Sequence, residues 1–258
     1  MDSASEVLAE VGPDASILML AYNRAATIIR AISSVQAQTF QDWELILVDD
    51  GSTDDTATLV RSLADPRIRY IRHTDNAGVI VRRNEAVRES RGAYIALLDS
   101  DDEWIDPRKL ERQIRFLDQH PNVVVVGTQA RIVRGTASRI THYPVSDRAI
   151  RARLLSKNVF VNSSCMIRAS MLDPEPYHSD DYLVEDYGLW LRLGLRGALA
   201  NLPECTVAYY EHPSGQNASN RRLATERSAL LARSFRTSYP GYFYAGMQWN
   251  LKRLLRSI

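Results

Sequence analysis

With 258 residues the chain is long enough for one large α/β domain, or a domain with an appendage, and it can bury a sizeable core. Its 45% hydrophobic and 24% charged content and its formal net charge of +1 are those of an ordinary globular protein, and they give no argument for bulk nucleic-acid binding. Two cysteines, Cys165 and Cys205, lack metal-ligand spacing and are too few for a disulfide scaffold; with no basic apolar leader and no run long enough to span a bilayer, a cytoplasmic protein is expected.

Residues 1–15 carry Asp2, Glu6, Glu10 and Asp14 and read as an N-terminal tail. From Ser16 to Ala21 an apolar run predicts a buried strand ending at Tyr22-Asn23-Arg24, and the spacing of Ile28, Ile32 and Val35 predicts a helix over 27–38. A second strand, Trp43 to Val48, runs into Asp49-Asp50-Gly51-Ser52-Thr53-Asp54. Glycine and hydroxyls there permit a tight turn, with Thr53 or Asp54 placed to cap the next helix. Ile68 to Ile71 makes a third strand, residues 76–90 include a helix bearing Arg82, Arg83 and Asn84, and Tyr94 to Leu98 makes a fourth strand. This alternation predicts a mostly parallel sheet flanked by helices.

The fourth strand drives into Asp99-Ser100-Asp101-Asp102. Three carboxylates in four positions repel one another, and a hard divalent cation bridging to a phosphate relieves that repulsion. A solvated acidic turn ahead of the next helix is the competing reading. That helix spans 107–120 with a stripe of Leu110, Ile114 and Leu117, and Val123 to Val126 is a core strand. The basic, hydroxylated stretch 129–144 predicts a hairpin or loop over one end of the sheet, and 148–155 a short helix. A strand-like run at 158–167 gathers Asn162, Ser163 and Ser164, a helical turn follows at 168–172, and a loop leads to Glu185-Asp186 at the start of a helix with Leu189, Trp190 and Leu193. Leu199 to Tyr210 is a closing strand in which Pro203 must sit at an edge or ahead of the ladder, and 211–215 is a turn. A basic helix over 220–234 precedes an amphipathic one over 242–258, where Trp249, Leu251 and Leu254 mix with Lys252, Arg253 and Arg256; this segment suits docking on the body, on a second subunit or on an anionic membrane surface.

Five motifs in order resemble those of the family 2 glycosyltransferases, inverting enzymes of the GT-A fold that use nucleotide-sugar donors. They are Ala21-Tyr22-Asn23; Val48 through Asp54; Asn76-Ala77-Gly78 with Arg83-Asn84; Leu98-Asp99-Ser100-Asp101-Asp102; and Glu185-Asp186 leading into Leu189-Trp190-Leu191-Arg192. Leu20 stands where the family usually has Pro, and Tyr210 where it commonly has Arg. The resemblance spans about residues 16–215. It implies a Rossmann-like sheet whose nucleotide-binding half is 16–102 and whose acceptor half is 103–215, with a helical C-terminal extension at 216–258.

For the donor, the resemblance implies that Ala21, Tyr22, Asn23 and Asp50 meet the nucleoside, Tyr22 offering a flat face and Asp50 accepting the uracil ring N–H. A uridine or thymidine diphosphate sugar fits best. Arg83 adds a cation near the base or phosphates, Asp99 with Ser100 reaches the ribose, and Asp101, joined by His212, holds Mn²⁺ or Mg²⁺ on the diphosphate. Asp186 is the expected general base, with Glu185, Asn162 and Ser163 on the acceptor side. The expected partner is a sugar or lipid-linked hydroxyl acceptor in polysaccharide, lipopolysaccharide or other glycoconjugate synthesis; a homodimer and a peripheral membrane contact through the C-terminal helix are further expectations. A sugar nucleotidyltransferase would place a Gly-rich basic loop after the first strand, and Ala21 to Thr27 has no glycine. An inactive binding module of the same fold would lose acids where Asp99, Asp101 and Asp186 are present.

Overall fold

The computed structural model describes residues 12–211 and 220–242. His212, most of the 242–258 segment and the first eleven residues lie outside them. The expectations for a metal-side histidine, a turn at 212–215 and a C-terminal amphipathic helix therefore fall outside the described residues.

Strands β1 (Ala15–Ala21) and β2 (Trp43–Asp49) are buried along almost their whole length, as continuous apolar runs covered on both faces should be. With β3 (Ile68–Arg72) and β4 (Tyr94–Leu97) they form a parallel set in the order β3-β2-β1-β4. Helices α1 (Ile28–Gln36), α2 (Thr56–Arg61) and α3 (Val79–Glu89) make the crossovers. Ile28, Ile32 and Val35 of α1 meet one face of the sheet, and Ala86 and Val87 of α3 meet the other.

Past β4 the sheet is no longer all parallel. The remaining elements are β5 (Glu103–Trp104), α4 (Lys109–Gln119), β6 (Val123–Arg134), β7 (Ala137–Ile140), α5 (Asp147–Leu154), β8 (Met166–Arg168), α6 (Glu185–Leu193), β9 (Ala198–Tyr210) and α7 (Arg221–Ser234). The sheet continues β4-β8-β6-β9-β5, with β8 antiparallel to both neighbours, β6 parallel to β9, and β7 hairpinned onto β6. The whole is a mixed sheet whose wholly parallel part is the β3-β2-β1-β4 set.

Three local expectations are corrected. The run 158–167 is a strand only from Met166; Asn162–Ser164 is a single 3-10 turn. Its buried serines decide this, because Ser164 Oγ donates to Val161 O at 2.7 Å within the turn, which satisfies a hydroxyl that a flat ladder would leave unpaired. Next, β6 runs on through Thr128 and Gln129 to Arg134. Its polar residues are buried by pairing, Thr128 with the Thr206 hydroxyl at 2.7 Å and Gln129 Nε2 with Tyr143 O at 3.1 Å. Finally, β9 bulges between Asn201, opposite Gly127, and Cys205, opposite Gln129. Pro203 sits on this exposed bulge, where no ladder N–H is required.

Helix α4 buries its expected stripe together with Lys109 and Gln113. Lys109 Nζ donates to Gln113 Oε1 at 2.7 Å and lies 4.1 Å from the Trp104 ring centroid, while Gln113 Nε2 donates to the carbonyls of Val126 and Ser164. Burial lowers the Lys109 pKa to about 7.

Candidate active site

The register of the parallel strands sets where the loops emerge. Ala21 pairs with Asp49 and Leu18 with Leu97, so the carboxyl ends of β1, β2 and β4 deliver Tyr22, Asp50 and Asp99 to one end of the sheet. Tyr22 is 46% exposed there and presents an open ring face. Asn23 takes a left-handed φ of 53°, which asparagine tolerates. Its side-chain oxygen accepts the N–H groups of Thr53 (2.8 Å) and Asp54 (3.3 Å), tying the first loop to the second. The cap position of α2 falls on Asp55 rather than on Thr53 or Asp54; Asp54 accepts the N–H groups of Thr56 and Ala25 at 3.0 Å each and so ties the loop to the helix start. Ala21 is buried and its carbonyl accepts the Asp50 N–H at 2.9 Å.

Asp50 is buried and already engaged. Its Oδ1 accepts the Ala77 N–H and the Arg82 Nε–H, both at 2.8 Å, and its Oδ2 accepts the Gly78 N–H at 2.9 Å. Gly78, with φ of 90°, makes the turn that points those amides at the carboxylate. Arg82 continues to Glu85 at 3.2 Å and to Asp75 O at 3.2 Å. Arg83, one residue on, faces another carboxylate: Nη2 donates to Asp99 Oδ1 at 3.3 Å, Nη1 to Asn162 Oδ1 at 3.1 Å, and its guanidinium lies 5.3 Å from the Tyr177 ring centroid. Burial opposes its charge, but Asp99, Tyr177, Glu185 and Asp186 outweigh burial and raise its pKa. Asn84 bonds the backbone of Tyr177 in both directions, at 2.8 and 2.9 Å, so the Arg83-Asn84 pair also anchors the 173–184 loop.

Two expected acceptor-side residues stand elsewhere. Asn162 Nδ2 donates to Asp99 Oδ1 at 2.9 Å and belongs to the donor-side acid. Ser163 is fully buried: its Oγ accepts the Asp99 N–H at 3.1 Å and donates to Asp102, and its carbonyl accepts Trp104 Nε1–H at 2.8 Å. Ser163 therefore fixes the acidic loop from beneath, and its burial removes it from contact with an acceptor. Ser100 is buried within that loop. Asp102, fully buried, also accepts the Tyr210 N–H at 3.1 Å; burial first, then the Asp99 charge, holds its pKa well above the usual carboxylate range.

Asp99 and Asp101 keep partly exposed carboxylates at the mouth, 34% and 27% accessible. Arg24 Nη2 lies 3.6 Å from Asp101 Oδ2, and Arg30 donates to the Asp101 carbonyl at 2.8 Å while stacking on the Tyr210 ring at 3.9 Å. Among the described residues no group of three metal-ligating side chains converges. Two accessible carboxylates nonetheless fit Mg²⁺ or Mn²⁺, because such ions bind through one or two carboxylates plus substrate phosphates and water rather than in an all-protein cage.

Helix α6 begins with Glu185 and Asp186, both half-buried and close enough to Arg83 for their charges to act on it. Asp186 accepts Asn158 Nδ2–H at 3.0 Å and the Tyr187 N–H at 2.7 Å. Burial and the Glu185 charge raise its pKa to about 6, against the pull of Arg83.

Residues 16–173 match the family described as Glycosyl transferase family 2. The chain belongs to that family. Family 2 membership extends to relatives over most of the chain: it is 35% identical over 228 residues to the putative glycosyltransferase EpsE of Bacillus subtilis, covering 83% of this chain and 78% of EpsE. It is 29% identical over 212 residues to the Escherichia coli UDP-Glc:alpha-D-GlcNAc-diphosphoundecaprenol beta-1,3-glucosyltransferase WfaP, covering 80% of each. The fold matches S. aureus TarS 1–349 in complex with UDP, with a TM-score of 0.68 at 19% identity, over 84% of this chain and 65% of that one. It also matches the Pyrobaculum calidifontis mannosyltransferase PcManGT in complex with GDP-Man and Mn²⁺, with a TM-score of 0.67 at 15% identity, over 93% and 70%. This family 2 chain is a glycosyltransferase of the GT-A type. Among its described residues no helix is long and apolar enough to cross a membrane.

The sequence alone did not single out Arg82, Asn158 and Tyr177 as parts of the site, and it read Asp102 only as one of the acidic run. Arg82 had one local signal, Glu85 three residues on; Asn158 and Tyr177 are brought in only by tertiary contact.

Proposed function

We propose that this family 2 enzyme moves a sugar from a uridine diphosphate donor to a hydroxyl on a sugar or lipid-linked acceptor, by one displacement that inverts the anomeric carbon. The observation that carries the reading is the pairing of two unlike carboxylate environments around Arg83: Asp99 hydrogen-bonded to it, and Asp186 half-buried with its pKa at about 6 and within reach of its charge. Tyr22 supplies a face for the base and Asp50 a carboxylate with acceptor capacity left. Asp99, held by Arg83 and Asn162, is the hydrogen-bond acceptor for the ribose. Asp101 is the side chain to hold Mn²⁺ or Mg²⁺, which when bound neutralises charge on the departing diphosphate. Asp186 takes the proton of the attacking hydroxyl, and its raised pKa keeps it basic enough to do so while it stays ionised at neutral pH.

Support for the donor comes from WfaP, whose name specifies UDP-Glc, and from TarS, which was crystallised with UDP. Support for a lipid-linked acceptor comes from the diphosphoundecaprenol substrate in the WfaP name. A thermal-shift screen of nucleotide sugars with manganese, followed by turnover on a GlcNAc-diphosphoprenol acceptor and NMR of the product, tests the reading. UDP-sugar stabilisation and a product of inverted configuration are expected; a retained configuration overturns the single displacement.

A further inference from the structure

We infer that Arg82 sets the donor base: by occupying one acceptor direction of Asp50 it leaves that carboxylate able to read a single N–H, which admits a uracil-type base and turns away guanine. The inference rests on the proposed reading of the base by Asp50. It follows from counting hydrogen bonds. A carboxylate has about four lone-pair directions, two on each oxygen. Oδ1 of Asp50 has two donors, the Ala77 N–H and the Arg82 Nε–H, both at 2.8 Å, and is full. Oδ2 has one, the Gly78 N–H at 2.9 Å, and a single direction remains.

Uracil and thymine present one ring N–H between two carbonyls, which one open direction satisfies. Guanine presents its ring N–H beside an exocyclic amino group, a two-pronged donor that a carboxylate matches only with both oxygens open. Against Asp50 the amino group of guanine meets the saturated Oδ1 with the Arg82 guanidinium behind it. A buried donor is then left unpaired, which a site of this kind penalises heavily. Cytosine, with no ring N–H, leaves Oδ2 unanswered. Arg82 cannot swing aside easily, because it is 6% exposed and its other nitrogens are held by Glu85 and by Asp75 O at 3.2 Å each.

Two variants separate the donor of Arg82 from its charge. Glutamine carries its amide nitrogen at the position of the arginine Nε, so Arg82→Gln keeps the hydrogen bond to Asp50 and drops the guanidinium; Arg82→Leu drops both. Calorimetry with UDP and GDP should show the wild type preferring UDP by about 10²-fold or more, Arg82→Gln keeping most of that preference, and Arg82→Leu losing roughly tenfold of it through a gain in GDP affinity. Equal loss in both variants, or none in either, overturns the inference. If Arg82→Leu does not fold, the wild type alone decides. Inosine diphosphate is GDP without the amino group and should bind roughly tenfold more tightly than GDP; equal binding of the two overturns the inference. The UDP-to-CDP ratio in Asp50→Ala tests the underlying reading separately, since that ratio is indifferent to the amino group of guanine.

Discussion

The two halves of the crevice are built by different means. On the donor side, parallel strands in register end at one level, and the carboxylates at their ends are fixed mainly by backbone N–H groups of the neighbouring strand-end loops: Asp50 by Ala77 and Gly78, Asp54 by Ala25 and Thr56. Asp186, at the first turn of α6, is instead steadied by the side chain of Asn158 from an irregular segment and by the Tyr187 N–H, and is reached by the charges of Arg83 and Glu185. On the proposed reading, the nucleotide surface is cut into a regular sheet, and the base toward the acceptor stands at a helix start braced by an irregular segment. The contrast predicts that mutations on the two sides separate binding from turnover.

The sharpest separation should come from Asp186→Asn. A loss of about 10² to 10⁴ in turnover is expected, with UDP affinity retained, because general base catalysis contributes on that order and the nucleotide contacts are untouched. Wild-type kcat/KM should fall on the acid side with an apparent pKa near 6, and the variant should lack that limb. The stability sign runs the other way. The folded pKa lies above that of an ordinary aspartate, so ionised Asp186 costs stability once the pH has risen through about 6, and Asn removes that cost at neutral pH. A melting temperature near the wild-type value together with near-normal turnover would take Asp186 out of the chemistry and bring Glu185 forward.

Next in size is the metal-side acid. Asp101→Ala, or EDTA on the wild type, should weaken UDP binding by roughly tenfold or more while leaving the fold intact, since the carboxylate is partly exposed at the loop mouth. Calorimetry in matched buffers checks it. Equal affinity with and without EDTA would show that Arg24, Arg30 and the loop amides suffice for the diphosphate. Asp50→Ala should act on selection instead, lowering the UDP-to-CDP ratio by about tenfold through loss of one charge-assisted hydrogen bond. An unchanged ratio would reduce Asp50 to the residue that organises the Gly78 turn.

How much of this was legible in the sequence divides along the same line. The parallel strands announce themselves as apolar runs ending in Tyr22, Asp50 and Asp99, because burial on both faces forbids polar interruption. Beyond Asp102 that signal weakens. Thr128 and Gln129 lie in a core strand, and Lys109 and Gln113 in a core helix, each admitted by a hydrogen bond that no local pattern encodes. The same blindness misplaced Ser163, whose polarity suggested an acceptor contact while its partners, Asp99 and Asp102, are more than sixty residues away in sequence. The helix start at Glu185 and Asp186 was legible because an acid pair ahead of an apolar stripe is a local pattern, whereas the role expected of Asp186 came from the family resemblance.

Ser163 offers the smallest and most diagnostic effect, since it lies beneath the boundary of the two halves. Its hydroxyl joins the Asp99 N–H to the Asp102 carboxyl, and Asp102 in turn holds the Tyr210 N–H at the end of β9. Ser163→Ala leaves a buried N–H and a buried carboxyl each short of a partner, at a cost of about 1–3 kcal/mol. For a chain of this size that is roughly 2–4 °C in Tm per kcal/mol, readable by calorimetry. If Ser163 only fills space, Ser163→Cys and Ser163→Ala should melt alike and bind UDP alike. If it sets the acidic loop, Ser163→Thr, which keeps the hydroxyl, should retain more UDP affinity than Ser163→Ala even where the extra methyl costs it stability, and that inversion of affinity against Tm is the result that separates positioning from packing.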